Sequence, residues 1–307
     1  MEINFKQPKI LVIGDIMLDK HIRGHVERLN PESPVPLIDV EYEENCPGGA
    51  ANTANNMTEL GAEIYVLGVI GNDSAGNQLI KELNDRKINT SYIVTQADIP
   101  TIFKVRAYAQ HNQLIRFDYE KKDSISRETF DAIHNHIEEL AAKVDLIVVS
   151  DYAKGLVNRE LMDKIRQTGK KVIVDPKPSH MDFYKDVFLL TPNSKEAWVM
   201  AETSKLEDID MVGDKLRERF SANVLVTRGE QGMALFRTDN GCIKLPTNAR
   251  DVYDVTGAGD TVVATLAVAI SSGYDLTEAA KIANKAAGLV VGKLGTSTIT
   301  FRELQEA

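Results

Sequence analysis

Asp260 follows Gly257, Ala258 and Gly259 in the stretch DVTGAGDTVVATLAVAI, and a small-residue, apolar run of helix length begins directly after it. Glycines there let the backbone turn tightly and bring N–H groups close to an anion at the positive end of the helix, which suits a phosphate. A plain glycine turn entering a buried helix would look much the same. Asp260 separates the two readings. A carboxylate in a first helical turn is favoured by the dipole, yet a bound phosphate beside it would repel it unless the group had chemical work to do. The fitting work is to accept the proton of a hydroxyl as that oxygen attacks phosphorus.

Two more acids are candidates for an acceptor site. Asp15 closes the apolar run KILVIGD and Asp19 follows four residues later, so both can stand over a strand end, where paired carboxylates suit sugar hydroxyls. Aspartates that merely cap a surface turn are the alternative. Basic residues gather although the chain is acidic. Lys104 and Arg106 share a strand face by their spacing, Arg116 can lie across a hairpin from them, and Lys154 follows SDYA. A phosphorylated acceptor would give that cluster a use, because arginine binds phosphate bidentately and lysine adds a point charge. Phosphoryl transfer also calls for a divalent cation on hard oxygen ligands, so Mg2+ is expected.

The elements that must position these residues follow from the pattern of the chain. KILVIGD, IYVLGVIG, VDLIVVSDYAKG, KKVIVDPK, VFLLTPNSKEA and NVLVTRGEQG read as parallel strands buried on both faces, with loops at their carboxyl edge. Helices are expected at about 49–60, 74–87, 126–142, 158–168, 194–202, 206–220, 259–272 and 277–294. The predicted fold class is α/β: a doubly wound, mainly parallel sheet with helices on both faces. SPVPLIDVEYEEN and TIFKVRAYAQHNQLIRFDYE are strand-like and contain no helix-length segment. They predict a small antiparallel β lid, at about 34–46 and 100–120, inserted in one domain spanning the chain, with an outer face that makes a homodimer contact.

DVTGAGD resembles the second signature of the ribokinase (PfkB) family of carbohydrate kinases. The first is present as well: PGGAANTANNMTELGAEIYVLGVIGND sets Gly48, Gly49, Asn52, Ala54, Gly61 and Gly71 at the family's spacing. The resemblance implies a ribokinase-like fold, Asp260 as catalytic base, and the backbone of Gly257, Ala258 and Gly259 as an anion hole. It puts Asp15, Asp19, Gly48, Gly49 and Asn52 on the acceptor side. Asn193 and Glu196 of TPNSKEA are similar to the family's N-x-x-E element that positions magnesium, although such a pair is equally an ordinary helix start. Lys177, Asn193, Thr227, Gly229, Gly232, Asn284 and Gly288 would wall the ATP pocket, where a strand turn and a core helix explain the same residues as well. A K+ ion, bound by several members, would involve Asp254, Thr256 and KLGTST. Thr265 departs from the family's usual Ala or Gly, which concerns helix packing.

Further wording, including GDIMLDKHIRGHVERLNPESPVPLIDV, QLIRFDYE, SDYAKGLV and AAGLVVGKLGTSTI, resembles the branch of the family that acts on D-glycero-β-D-manno-heptose 7-phosphate. That resemblance implies transfer of the ATP γ-phosphate to the anomeric O1, giving a 1,7-bisphosphate for nucleotide-activated heptose and lipopolysaccharide core. It places Asp151 and Lys154 near the acceptor, with Lys104, Arg106 and Arg116 on its far phosphate. In many members a cytidylyltransferase-like domain follows. The chain's end at FRELQEA is read as a stand-alone kinase or a kinase half, with a separate nucleotidyltransferase as pathway partner. A kinase of fructose phosphate, ribose or a nucleoside remains an alternative, as does a nucleotide-responsive regulator without catalysis.

Composition narrows the classes. A chain of 307 residues with 43% hydrophobic content can bury a large core, and a formal charge of -9 argues against nucleic acid as partner. Cys46 and Cys242 form no CxxC pair, which fits a reducing cytoplasm. His134 and His136, two apart, would face different sides of a helix and suggest no metal site. The N-terminal apolar run is too short for a signal segment, and the run from Val262 to Ile270 is too short to cross a bilayer, so no membrane is expected. VIGDIMLDK lacks G-x-G-x-x-G, which counts against a dinucleotide-dependent dehydrogenase.

Overall fold

The computed structural model describes residues 3–110, 112–121, 125–204, 207–239, 241–249, 252–293, 295 and 297–307. Strand β1 (Lys9–Gly14) leads into β2 (Ile16–Leu29) and β3 (Pro36–Gly49), then α1 (Ala50–Glu59), β4 (Glu63–Leu67), β5 (Val69–Ile70), α2 (Ser74–Asp85) and β6 (Val94–Thr95). A hairpin of β7 (Phe103–Ala109) and β8 (Asn112–Tyr119) precedes α3 (Arg127–Ala141), β9 (Leu146–Ser150), α4 (Arg159–Gln167) and β10 (Lys171–Asp175). There follow β11 (Leu189–Leu190), α5 (Ser194–Met200), α6 (Ile209–Phe220), β12 (Asn223–Thr227), β13 (Met233–Phe236) and β14 (Cys242–Leu245). The described chain closes with α7 (Ala258–Ser271), α8 (Leu276–Val290) and α9 (Phe301–Glu306).

Among the described residues the main sheet runs β14-β13-β12-β11-β10-β9-β1-β4, parallel from β12 to β4. The antiparallel edge of β13 and β14 was not foreseen, because MALF and CIKL are too short to show a period. Alternate residues of each strand serve opposite faces. Ile10 and Val12 join the core with α1, α7 and α8, whereas Leu11 and Ile13 join the core with α3, α4 and α6. Helix α7 is buried from Asp260 to Ile270, which explains why its sequence is apolar all round. Helix starts match expectation because Asp73, Ser126, Asn158, Asn193 and Asp275 accept backbone N–H groups as caps. Leu206 and Leu294, where two expected helices began and ended, lie outside the described residues.

The lid is two antiparallel hairpins, β2–β3 and β7–β8, joined side by side through a parallel β2–β7 pairing. Strand β2 lay outside the expected lid. Its alternation of Leu18, Lys20 and Ile22 with Asp19, His21 and Arg23 carries too many charges to read as a strand. Register places Asp19 beside Lys104, His21 beside Arg106, and Arg106 opposite Arg116. One lid face is therefore charged; on the other, Ile115, Phe117 and Tyr119 are 46%, 46% and 54% exposed. No helix among the described residues is long and apolar enough to cross a membrane.

At the end of β1, a Cβ on Gly14 would lie 2.1 Å from the Ser150 carbonyl oxygen and 2.9 Å from the Ala50 Cβ. Gly14→Ala must part β1 from β9, and we expect it to cost about 1–3 kcal/mol. Urea unfolding should show a lower midpoint at unchanged slope.

Candidate active site

Seven helices begin with a side-chain cap among the described residues; α1 and α7, entered through Gly49 and Gly257, have none. These two uncapped starts meet at Asp260. Asn52 Nδ2 donates to its Oδ2 and Thr53 Oγ1 to its Oδ1, each at 2.7 Å, while the Tyr152 hydroxyl stands 3.3 Å from Oδ1. Burial raises the Asp260 carboxyl above its usual range; the bonds from Thr53, Asn52 and Tyr152 oppose that, and the charge of Asp19 adds to it. Gly257 takes a left-handed φ of 80°, a conformation that favours glycine. A Cβ on Gly259 would meet nothing within 4 Å, so the helix mouth is open. A buried carboxylate in the first turn of a helix without a side-chain cap can take a proton while the positive end of the helix faces an anion. Thr265 gives its hydroxyl to the Thr261 carbonyl at 2.7 Å, so its departure from the family pattern stays within the helix.

Asp15 does not offer its carboxylate to an acceptor. It is buried and accepts the N–H groups of Tyr152 at 3.0 Å, Lys154 at 3.1 Å and Leu156 at 3.4 Å. Asp151 is likewise taken up: its carboxylate receives Ala153 N–H at 2.7 Å and the Tyr184 hydroxyl, and pairs with His180 at 2.8 Å. Ala153 sits at φ 54° and Gly155 at φ 117°, so the loop between Asp151 and Leu156 is a tight coil gripped by two carboxylates. Asp19 does reach the site. Gly48 and Gly49 permit this, since a Cβ on Gly48 would lie 2.6 Å from Asp19 Oδ2 and one on Gly49 2.5 Å from the Asp15 carbonyl.

Lys104, Arg106 and Arg116 gather on the charged lid face and Lys154 on the loop after β9, but most have an acid beside them. Arg106 pairs with Asp19 at 2.9 Å, Arg116 with Asp118 at 2.8 Å, and Lys154 with Glu120. Lys104 has no ion pair among the described residues; burial and the nearby Lys154 lower its pKa. His21 stacks on Tyr108 at 5.6 Å, and Arg23 covers that ring at 4.8 Å. No motif or spacing in the sequence marks these three residues.

On the other side of Asp260, Asn193 and Glu196 form a capping box at the start of α5. Glu196 also pairs with Lys177 at 3.0 Å, and Lys177 lies 5.4 Å from the centre of the Tyr152 ring. Asp175 is not marked either. It ends β10, no hydrogen bond or ion pair reaches its carboxylate among the described residues, and burial with repulsion from Asp260 and Glu196 holds its pKa well above the usual range. The hard oxygens of Asp175 suit Mg2+, which commonly takes one or two carboxylates and completes its shell with water and phosphate; Glu196 would join it by giving up Lys177 or the Asn193 N–H that its oxygens now hold. Thr227 bridges to Asn193 at the carboxyl end of β12, and Gly229 leaves open space. Gly232 instead makes room for the Leu245 carbonyl, 2.0 Å from its would-be Cβ. Gly288 lines a cleft of about 870 Å³ with Asn248, Tyr253, Lys281 and Lys285, and Asn284 supports one wall by donating to the Pro246 carbonyl at 2.7 Å. Asp254 accepts the N–H groups of Thr256 and Gly295; Leu294 and Thr296 of KLGTST lie outside the described residues.

Residues 7–302 match the family model described as pfkB family carbohydrate kinase. The chain belongs to this family. As a pfkB carbohydrate kinase it is 41% identical to the bifunctional protein HldE of Sulfurimonas denitrificans, over 97% of this chain and 64% of that one. It is 40% identical to HldE of Vibrio cholerae over 99% of this chain, and spans 64% of that relative's length. Arabidopsis thaliana ribokinase complexed with ribose and ATP superposes with a TM-score of 0.76 at 21% identity, covering 97% of this chain and 98% of that chain. Escherichia coli phosphofructokinase-2 in complex with fructose-6-phosphate gives 0.78 at 17%, covering 98% and 97%. These likenesses establish the ribokinase-like fold expected from the two signatures.

Burial and repulsion from Asp151 push the Asp15 pKa up to about 6, against the pull of its three amide bonds. Its proton is then held more tightly in the folded than in the unfolded chain, so the associated stability is present at low pH and lost as pH rises from about 4 to about 6. Relative to Asp15→Asn, the native protein should lose up to about 3 kcal/mol across that window. Urea unfolding of both proteins at several pH values checks this; a constant difference would contradict the raised pKa.

Proposed function

We propose that this kinase transfers the γ-phosphoryl group of ATP to the anomeric hydroxyl of a heptose 7-phosphate, as one domain closed by its β lid. The observation that carries the reading is Asp260, a buried carboxylate at an open helix mouth, with Lys104, Arg106 and Arg116 on the neighbouring lid and Lys154 on the loop after β9. The similarity to HldE chains over nearly the full length supports the choice of sugar.

In this mechanism Asp260 takes the O1 proton as O1 bonds to the γ-phosphorus. The bond from that phosphorus to the bridging oxygen breaks, and its electrons leave with ADP. The raised pKa of Asp260 brings it nearer the working pH, where a general base is most effective. Amides at the start of α7 face the transferring group, and Asn52 and Thr53 keep the carboxylate aimed. Lys104, Arg106 and Arg116 hold the far phosphate, which must share the arginines with Asp19 and Asp118. Asp175 and Glu196 would hold Mg2+, which screens the triphosphate when bound. Lys281 and Lys285 flank the cleft assigned to ATP. Asp254, Thr256 and Gly295 surround the place assigned to a K+ ion. The exposed Ile115, Phe117 and Tyr119 face fits a second copy of the chain, and the product suits a nucleotidyltransferase partner in the cytoplasm.

ATP consumption with Mg2+ should be confined to D-glycero-D-manno-heptose 7-phosphate in a panel that also holds fructose 6-phosphate, fructose 1-phosphate, ribose and adenosine. Turnover on another sugar would discard the heptose and keep the Asp260 mechanism; silence across the panel would favour a non-catalytic regulator. Asp260→Asn should retain ATP binding and lose turnover by roughly 10²- to 10⁴-fold. Arg106→Ala should raise the KM for the sugar phosphate with little change for ATP, and equal KM values would remove Arg106 from the clamp.

A further inference from the structure

We propose that Asp15 is a positioning residue that sets both ends of the acceptor site through the loop between Asp151 and Leu156. Its Oδ2 collects the amides of Tyr152 and Lys154, and its Oδ1 that of Leu156. The two side chains fixed in this way point to different tasks. Tyr152 reaches Asp260, whereas Lys154 reaches Glu120 beside the charged lid face. The Asp15 main chain serves the same centre from the other side, because its carbonyl accepts the Ala50 N–H at 3.1 Å where α1 begins. That helix brings Asn52 and Thr53 to Asp260. Asp15 thus stands between the two elements that grip Asp260, without touching it.

The cost of keeping a carboxylate there argues for a task beyond closing a turn. Asp151 faces Asp15 from β9's end and raises its pKa, while Lys121 and Lys154 line the same small cavity. Asn would fill the space with less desolvation, but its amide group would oppose one of the three donors. Carboxylates held at such a cost recur where position matters more than stability. The inference rests on the kinase reading only for its kinetic consequence; the link from Asp15 to Asp260 is independent of the substrate.

The test follows the Asp260 carboxyl resonance through a pH titration in the native protein, Asp15→Asn, Tyr152→Phe and the double variant. Tyr152 hydrogen-bonds the ionised form, so losing that bond raises the Asp260 pKa. Asp15→Asn should move the titration upward as Tyr152→Phe does, and the double variant should move it no further. An unmoved Asp260 in Asp15→Asn, or shifts that add, would overturn the proposal. With the acceptor that the native enzyme turns over, Asp15→Asn should lower kcat roughly 10- to 100-fold and raise the sugar-phosphate KM, while Tyr152→Phe alters only kcat and Lys154→Ala only that KM. A loss of kcat in Asp15→Asn with every KM unchanged would mark a merely structural role. Should that variant not fold, amide exchange in the native protein decides: the amides of Tyr152, Lys154 and Leu156 must be protected, and exchange at open-loop rates would refute the grip.

Discussion

A carboxylate withdrawn from water must be given partners, and most of this structure around the sheet's carboxyl edge can be understood as the provision of partners for Asp260. Two helices that begin without side-chain caps meet at it. Asn52 and Thr53 come from one, and the residue itself belongs to the other. A side-chain cap on α7 would consume amides beside Asp260, at the turn where a phosphate would have to be received under the kinase mechanism proposed above. The all-round apolar character of α7 follows from the same requirement, because a helix that carries a buried acid to the sheet edge must itself run through the core.

Charge is arranged around that centre with opposite sign on its two sides. Toward the lid stand Lys104, Arg106, Arg116 and Lys154, three of them tempered by neighbouring acids. Toward β10 and α5 stand Asp175 and Glu196, with Lys177 between them and the Tyr152 ring. The acids paired with the arginines hold both guanidinium groups in place on the lid face. The acids on the other side repel each other and Asp260, an arrangement that a divalent cation and a triphosphate would relieve together.

The loop carrying Tyr152 and Lys154 shows how a short segment is made rigid without secondary structure. Four of its amides end on the carboxylates of Asp15 and Asp151, so residues at left-handed φ are held by hydrogen bonds. Asp15 and Asp151 had looked like groups for a sugar; their oxygens are occupied by the chain itself. Asp19, four residues beyond Asp15, keeps its place in the site because it lies on the charged side of β2, where alternation turns it toward Arg106.

Much was legible in the sequence alone. Alternating apolar runs and helix-length segments specified the parallel sheet, since strands buried on both faces cannot hide their composition. The two glycine-containing signatures marked the family, and two-residue spacing put Lys104 and Arg106 on one face, because strand alternation is a local property. What only the tertiary structure decided are the contacts with no local period. Thr53 and Tyr152 lie 207 and 108 residues from Asp260, and nothing in their own surroundings marks them as its partners. The same holds for the fate of Asp15 and the isolation of Asp175. Whether an acid faces a ligand, a backbone amide or another acid depends on how helices and loops pack over the sheet edge, and burial, which shifts its proton affinity, exists only once that packing has formed.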